Sequence, residues 1–523
     1  MFCTILTSVA WSQKLHVTST GHVTITPTAF VFAGGDVEVE AGGSITAESN
    51  ATNSSSFFAP NGTGNVVGNL TYKRYVTGGS DLSTNWHIVS APFSGQTIGA
   101  FITDDASNDI TQSGTTDNYA VAYYNNANNV GERWVYHNAS VTSANQANLT
   151  NVAFESSRGY SMHRDAVGTY SFVGTMATAN DEEFTLVAGA SGSWDWNAIG
   201  NPFPSHLSTA SLFANNTAVL ESNHNALYIW DHTSPDQGVG SHRYVVNNNA
   251  TLATTQLHPG QAFVVKAASN GSVFRFAEGL QNIQDATSTF NRTEAVPTLD
   301  VSLSNGSQTS KTMLKYFPNT TSGLDIGWDA GTFRDGTPSL SIDTHLINDS
   351  QGVDFMLQCL SDSNYEANIV PLSVKASAGE EITFNAVATN LPSDINVYVE
   401  DKINNTIEKI NDASYTVTLT DAVNGIGYFY LHTSRTALSI DNTNVLNTVN
   451  LYKTSNSNLR ITGLQEEGKA SVKMYSLTGQ EVLEHSFTMQ RVNDVTLPSL
   501  KTGVYLVQVV SENGKYTKKL IIE

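Results

Sequence analysis

The side chains able to do chemistry are few and scattered. Asp325, Asp329 and Asp335 bracket Trp328, and carboxylates at such intervals could serve a calcium loop or a pair of glycosidase acids. The run Asp-x-Asp-x-Asp-Gly is missing, and Asp335-Gly336 reads more simply as a turn dipeptide. Asp104, Asp105 and Asp109 form a second acidic loop open to the same readings. His224, His232 and His242 lie near Asp231 and Asp236. Zinc needs three or four converging ligands, whereas these spacings fit solvated loop ends. Ser161, in Gly159-Tyr160-Ser161-Met162-His163, lacks the second glycine of a nucleophile elbow. Cys359 sits in the apolar run Phe355-Met356-Leu357-Gln358-Cys359-Leu360 and reads as a buried structural thiol. No metalloprotease, paired-cysteine, phosphate-loop or dinucleotide motif occurs in a fitting context. The expectation is a non-enzymatic chain without a cofactor, with calcium at Asp325, Asp329 and Asp335 the one ion left open.

Aromatic side chains offer a different chemistry. Trp86, Trp134, Trp194, Trp196 and Trp230 lie with Tyr123, Tyr124 and Tyr244 among many Asn and Asp residues. Sugar C–H faces stack on rings while amides and carboxylates bond hydroxyls. Most of these aromatics recur at equivalent places in an internal repeat, as core residues do. Trp194, which has no counterpart before Trp86, and Trp328 are the ligand-binding candidates.

The elements that must position these residues are strands. Helical periodicity is nearly absent, and short alternating runs recur between Gly, Asn, Asp and Pro, so the fold class is all-β. Residues 14–75 hold two- to four-residue β pieces at Gly-rich corners, a β-solenoid-like segment, with a short sandwich as the other reading. Trp86 precedes Pro92-Phe93 as Trp196 precedes Pro202-Phe203, and four further elements repeat in order at an offset of 103 to 110 residues. Two tandem β-sandwich repeats follow, at 76–180 and 181–280. A polar linker covers 281–297, another sandwich 298–435, an Asn/Thr-rich linker 436–450, and a final small module 451–523. Residues 1–13 read as the remnant of a signal peptide, with an apolar stretch from Phe2 to Ala10 but no preceding Lys or Arg. With Cys3 in that leader, Cys359 has no partner for a disulfide.

The 523 residues carry 26 Lys and Arg against 47 Asp and Glu, a net charge of −21, which argues against nucleic acid as a partner. Only 14% of residues are charged, too sparse for the dense charge of disordered chains. The last module departs from this balance. It holds nine basic and seven acidic residues, leaving 17 and 40 upstream, and such a change of sign marks a separate unit. No stretch approaches the length of apolar residues that crosses a membrane as a helix.

This final module resembles the type A C-terminal sorting domain of proteins exported by the type IX secretion system of Bacteroidetes-type bacteria. The likeness rests on three ordered motifs. They are Lys473-Met474-Tyr475-Ser476-Leu477-Thr478-Gly479-Gln480-Glu481-Val482, Leu500-Lys501-Thr502-Gly503-Val504-Tyr505-Leu506-Val507, and Gly514-Lys515-Tyr516-Thr517-Lys518-Lys519-Leu520-Ile521-Ile522. Ser476 stands where Asp or Asn is more usual. The resemblance implies a small β-sandwich read by the secretion machinery. Gly479 and Gly503 are expected in tight turns, Tyr505 in the second motif, and Lys515, Lys518 and Lys519 guarding a terminal edge strand. The middle regions, at Thr71-Tyr72-Lys73-Arg74-Tyr75 and Gly323-Leu324-Asp325-Ile326-Gly327-Trp328, resemble β-sandwich modules of flavobacterial surface proteins. Together these imply passage through the periplasm to the outer-membrane surface or beyond. An adhesive or structural role is expected, with surface polysaccharide or another cell as the outward partner. The other reading is a carbohydrate-binding or polysaccharide-processing accessory protein.

Overall fold

The computed structural model describes residues 2–5, 10–12, 14–59, 66–81, 85–103, 106–176, 181–189, 194–230, 244–252, 256–284, 296–334, 336–366, 368–435, 449–455, 457–464, 468–512 and 514–522. Among the described residues the regular structure is mostly strand, with a few short helices. It divides into two compact units, one of residues 1–237 and 243–293, the other of 238–242 and 294–523.

The first unit begins with three short parallel sheets. His22–Ile25, Ser44–Glu48 and Leu70–Val76 pair in parallel, as do Phe30–Ala33 with Ser56–Phe58, and Leu15–Val17 with Val37–Val39 and then Val66–Val67. Alternation along each piece sends Val17, Ile25, Val31, Ala33, Val37, Val39, Ile45 and Ala47 into one shared core. Successive strands stack because each presents its open backbone groups to the next. Phe2–Ile5 and Ala10–Ser12, the stretch expected as a leader remnant, pair in parallel with His22–Ile25 and Phe30–Ala33.

Two five-stranded sheets follow with matching strand order, alike over the first four strands, while the fifth pairs in parallel in the first sheet and antiparallel in the second. The first has the order His87–Val89, Tyr160–Met162, Tyr119–Tyr124, Trp134–His137, Gln146–Ala147. The second has Trp196–Gly200, Ala262–Lys266, Leu227–Trp230, Tyr244–Asn248, Thr251–Leu252. Each first strand is followed by a short helix, Ile98–Thr103 or Thr209–Asn216. Each sheet also has a small companion. Glu182–Thr185 pairs with Val273–Phe276 in the second repeat, and Leu70–Val76 with Gly168–Gly174 in the first. Leu70–Val76 is thus also the last strand of the parallel stack, and a division at residue 75 runs through a strand that serves both neighbours. The repeats themselves are in close contact. Ser90 Oγ donates to the Asn201 carbonyl at 2.8 Å, and the Gly159 amide to the Ala198 carbonyl at 2.9 Å.

In the second unit, residues 298–434 form one continuous hydrogen-bonded sheet of eleven strands where a two-sheet sandwich was expected. Its centre is the step from Ser341–Thr344 to Phe355–Ser361, which meet only at Thr344 and Phe355. Both halves turn their apolar faces to a common core, with Leu299, Val301 and Phe384 from one side and Val374, Val399 and Leu431 from the other. The C-terminal module is two sheets around its own core. One comprises Asn450–Ser455, Asn458–Thr462 and Val492–Thr496. The other has the order Glu481–Thr488, Lys469–Ser476, Gly503–Ser511, Gly514–Ile522.

Candidate functional site

The C-terminal module carries the residues that the sequence motifs single out. Lys469–Ser476 and Glu481–Thr488 form a hairpin whose turn holds Gly479 at φ +82°, with its amide donating to the Ser476 carbonyl at 2.9 Å. That left-handed backbone favours glycine. Gly503 is different. It opens the strand Gly503–Ser511 without a positive φ, and an added Cβ would meet no atom nearer than 3.8 Å. The expectation that a tight turn demands glycine there is corrected, because the residue already has strand geometry and pairs with Ile522. Tyr505 is buried, and its hydroxyl donates to the Lys501 carbonyl at 2.9 Å, tying the strand to the turn before it.

The terminal strand Gly514–Ile522 lies at the edge of its sheet, paired only with Gly503–Ser511. Lys515 and Lys519 point outward and are exposed, as edge protection requires. Lys518 does not share that role. It alternates to the inner side with Tyr516, Leu520 and Ile522. Its ammonium donates to the carbonyls of Leu451 and Ser350, both at 2.9 Å. Burial pushes its pKa down to about 8, against the opposing charge of Asp349.

Ser350 belongs to a loop braced by ionisable side chains. His345 Nε2 contacts Asp354 Oδ1 at 2.8 Å, and Arg334 Nη1 donates to Asp354 Oδ2 at 2.9 Å. The other end of the guanidinium grips Asp343, which also accepts from Thr332 Oγ1 at 2.6 Å. Asp343 has no exposed surface. Desolvation raises its pKa to about 6, although Arg334 pulls the other way. Asp354 is also desolvated, but the hydrogen bond and charge of His345 and the charge of Arg334 win and hold it at about 2. Sequence reasoning missed this cluster, since no motif spans Arg334 to Asp354. Its one trace is Asp343 and His345 alternating with Ile342 and Leu346 in the short run from Leu340 to Leu346.

The remaining candidates are held in structural contacts. Asp329 accepts the Asp325 amide at Oδ2 and the Cys359 amide at Oδ1, both at 2.7 Å. Burial raises its pKa to about 7 against those two hydrogen bonds. Asp325 in turn accepts the Thr321 amide at 2.6 Å, so these carboxylates pin the backbone that carries Trp328. Trp328 is half-buried and packs on Phe317 with ring centroids 4.8 Å apart. Asp335 lies outside the described residues. The Cys359 thiol is fully buried and donates to the Trp328 carbonyl at 3.3 Å, with its pKa raised by desolvation.

Trp194 is half-buried between the repeats. The Arg133 guanidinium lies 4.0 Å from its ring centroid, and its indole N–H reaches the Tyr124 hydroxyl. Trp196 is buried edge-on to Tyr228, and the Trp230 indole donates to the Trp86 carbonyl at 2.6 Å. His224 Nδ1 contacts Glu221 at 2.6 Å, while His232, His242, Asp231 and Asp236 lie outside the described residues. Ser161 is a strand residue opposite Ile88 and Ala122. Asp109 contacts the Ala166 amide at 3.0 Å, and Asp104 and Asp105 are outside the described residues. Among the described residues no group of three or more His, Cys, Asp or Glu side chains converges as metal ligands would.

No curated protein matches the chain. Residues 453–523 match the family of secretion system C-terminal sorting domains, the module whose two sheets and motifs are described above. That match makes the chain a type IX secretion substrate, exported to the cell surface or the extracellular space. Residues 2–432, which hold the parallel stack, both repeats and the eleven-stranded sheet, match a domain of unknown function, DUF8693, and the chain belongs to that family.

Proposed function

We propose that the chain is a non-enzymatic protein of adhesive or structural role, passed through the periplasm and presented outside the cell by its sorting module. The observation that carries this reading is the cross-linking of the first unit. One strand, Leu70–Val76, serves both the parallel stack and the first repeat, and Trp194 and Trp230 tie that repeat to the second. A unit joined across its internal boundaries suits presentation of a surface. The carboxylates and the thiol best placed for chemistry are engaged with backbone groups, which supports the same reading. The carbohydrate-binding alternative gains less support, because Arg133 covers a face of Trp194 that a sugar would need.

The test is carried out in a producing strain. Full-length protein is expected in the surface or medium fraction, and a chain lacking 453–523 is expected to remain in the periplasm. Strains lacking the gene should lose attachment to surfaces or to other cells, and adding back the full chain should restore it. Hydrolysis of a polysaccharide by the purified chain, abolished by a single carboxylate substitution, would replace this reading with an enzymatic one. Glycan-array binding that disappears in Trp194→Ala would favour the carbohydrate-binding reading.

A further inference from the structure

The sorting module is packed against the eleven-stranded sheet by two separate sets of contacts, although only residues 436–448, rich in Asn and Thr, connect them. The first set surrounds the open side of the module, between its edge strands Asn450–Ser455 and Gly514–Ile522. There the Lys518 ammonium takes one carbonyl from each partner, Leu451 of the module and Ser350 of the sheet's loop. Beside it the buried Tyr452 ring lies against Gly352, so close that a Cβ on Gly352 would fall 2.5 Å from a ring carbon. His345, braced by Asp354, is 6.0 Å from the same ring, centroid to centroid. The second set joins Gly427 of the sheet to the Arg491 carbonyl and the Thr462 side chain of the module. A Cβ on Gly427 would lie 3.4 Å from each. A cavity of about 450 Å³ opens beside it, lined from both partners by Tyr428, Asp421, Met489 and Arg491 among others.

These contacts differ from those of a module tethered by a flexible strand. Withdrawing an ammonium from water is costly unless its donors are met, and here one of the two carbonyl acceptors of half-buried Lys518 belongs to the other partner. The loop that supplies it, Asp349 to Gly352, is held in shape by the Arg334–Asp354–His345 brace, so the seat exists only when the sheet has folded. The same loop covers the module's open side, where unpaired edge strands would otherwise face solvent. We infer that the loop Ser350–Gly352 is a built docking seat, and that the sorting module stays bound to it non-covalently when the connecting segment 436–448 is cut. A tether supplies high effective concentration only while it is intact, so cutting it isolates the strength of the seat.

The experiment uses the full chain with a specific protease site placed within 436–448. After cleavage, the two fragments are run together by gel filtration at about micromolar concentration, where only contacts stronger than a weak encounter hold. They are expected to co-elute from the native protein and to separate in denaturant. Lys518→Met, which keeps the aliphatic stem, and Gly352→Ala, which pushes a methyl into Tyr452 from the opposite side, should each abolish co-elution after the cut. Hydrogen exchange on the uncut variants provides a fold control, with protection expected to be lost around 349–352 and 450–452 and kept in both cores. Native fragments that elute apart would overturn the inference. So would cut variants, with both cores protected, that remain together as the native fragments do.

Discussion

At the level of single residues, burial decides which of two similar side chains matters. Trp196 is 3% exposed, whereas its repeat counterpart Trp86 is half-buried against Tyr136 and His163. Trp196→Ala should therefore cost roughly 3–5 kcal/mol by opening a cavity, and Trp86→Ala roughly half of that. Urea denaturation of the full chain, followed by fluorescence and hydrogen exchange in each repeat, measures both. The two glycines of the sorting motifs divide in the same way, by backbone angle. Gly479→Val should cost about 1–2 kcal/mol, because a side chain at φ +82° meets its own backbone. Gly503→Val should shift stability by less than about 0.5 kcal/mol, as at an unconstrained surface site. Equal losses at the two positions would contradict the geometry described for Gly503.

At the level of elements, the junction between the parallel stack and the second repeat contains a close pair of histidines, His206 buried and His258 half-buried. His206 Nε2 lies 3.2 Å from His258 Nδ1. Ser56 and Ser54 contact the two rings at 2.9 and 3.1 Å, and Arg74 reaches Ser54. Desolvation, with the charge of Arg74 adding to it, pushes His206 down to about 3 and His258 well below its ordinary value of 6.5. The folded state therefore refuses protons that the unfolded chain accepts below about pH 6.5. Stability from this pair is fully present above pH 6.5 and declines as pH falls towards 3. The first unit should show a urea midpoint that drops steadily between pH 6.5 and 4, and His206→Gln should flatten that slope. A midpoint independent of pH across this range would mean that the pair is open to water.

At the level of the whole molecule, cooperativity should follow the shared strand rather than the boundaries suggested by composition. Tyr72 lies fully buried in Leu70–Val76, within the core of the parallel stack, while the same strand pairs with Gly168–Gly174 of the first repeat. Tyr72→Ala should cost roughly 3–5 kcal/mol and lower protection in the stack and the first repeat together. Hydrogen exchange by mass spectrometry reads the two regions separately in one sample. Loss confined to residues 14–75 would show that the stack is an autonomous domain.

Period-two alternation with Gly and Asn punctuation made the all-β class legible in the sequence, because it depends on neighbours along the chain. The sorting module was legible for a related reason. Its turn, its Tyr505 strand and its terminal strand are contiguous motifs, and Gly479 has the backbone its motif suggests. What only the tertiary structure decided are the long-range partnerships. Lys518 looks like Lys515 and Lys519 in sequence, and alternation alone cannot say that its inner side meets the Ser350 carbonyl 168 residues away. Asp329 resembles a ligand until its oxygens are seen to accept two amides, one of them from Cys359, 30 residues on. Arg334, Asp343, His345 and Asp354 have no shared spacing, and they converge where Ser341–Thr344 meets Phe355–Ser361 at the Thr344 and Phe355 pair. Local pattern selects the strand and its buried face; which distant group that face meets is set by packing of the entire core, to which every strand contributes at once.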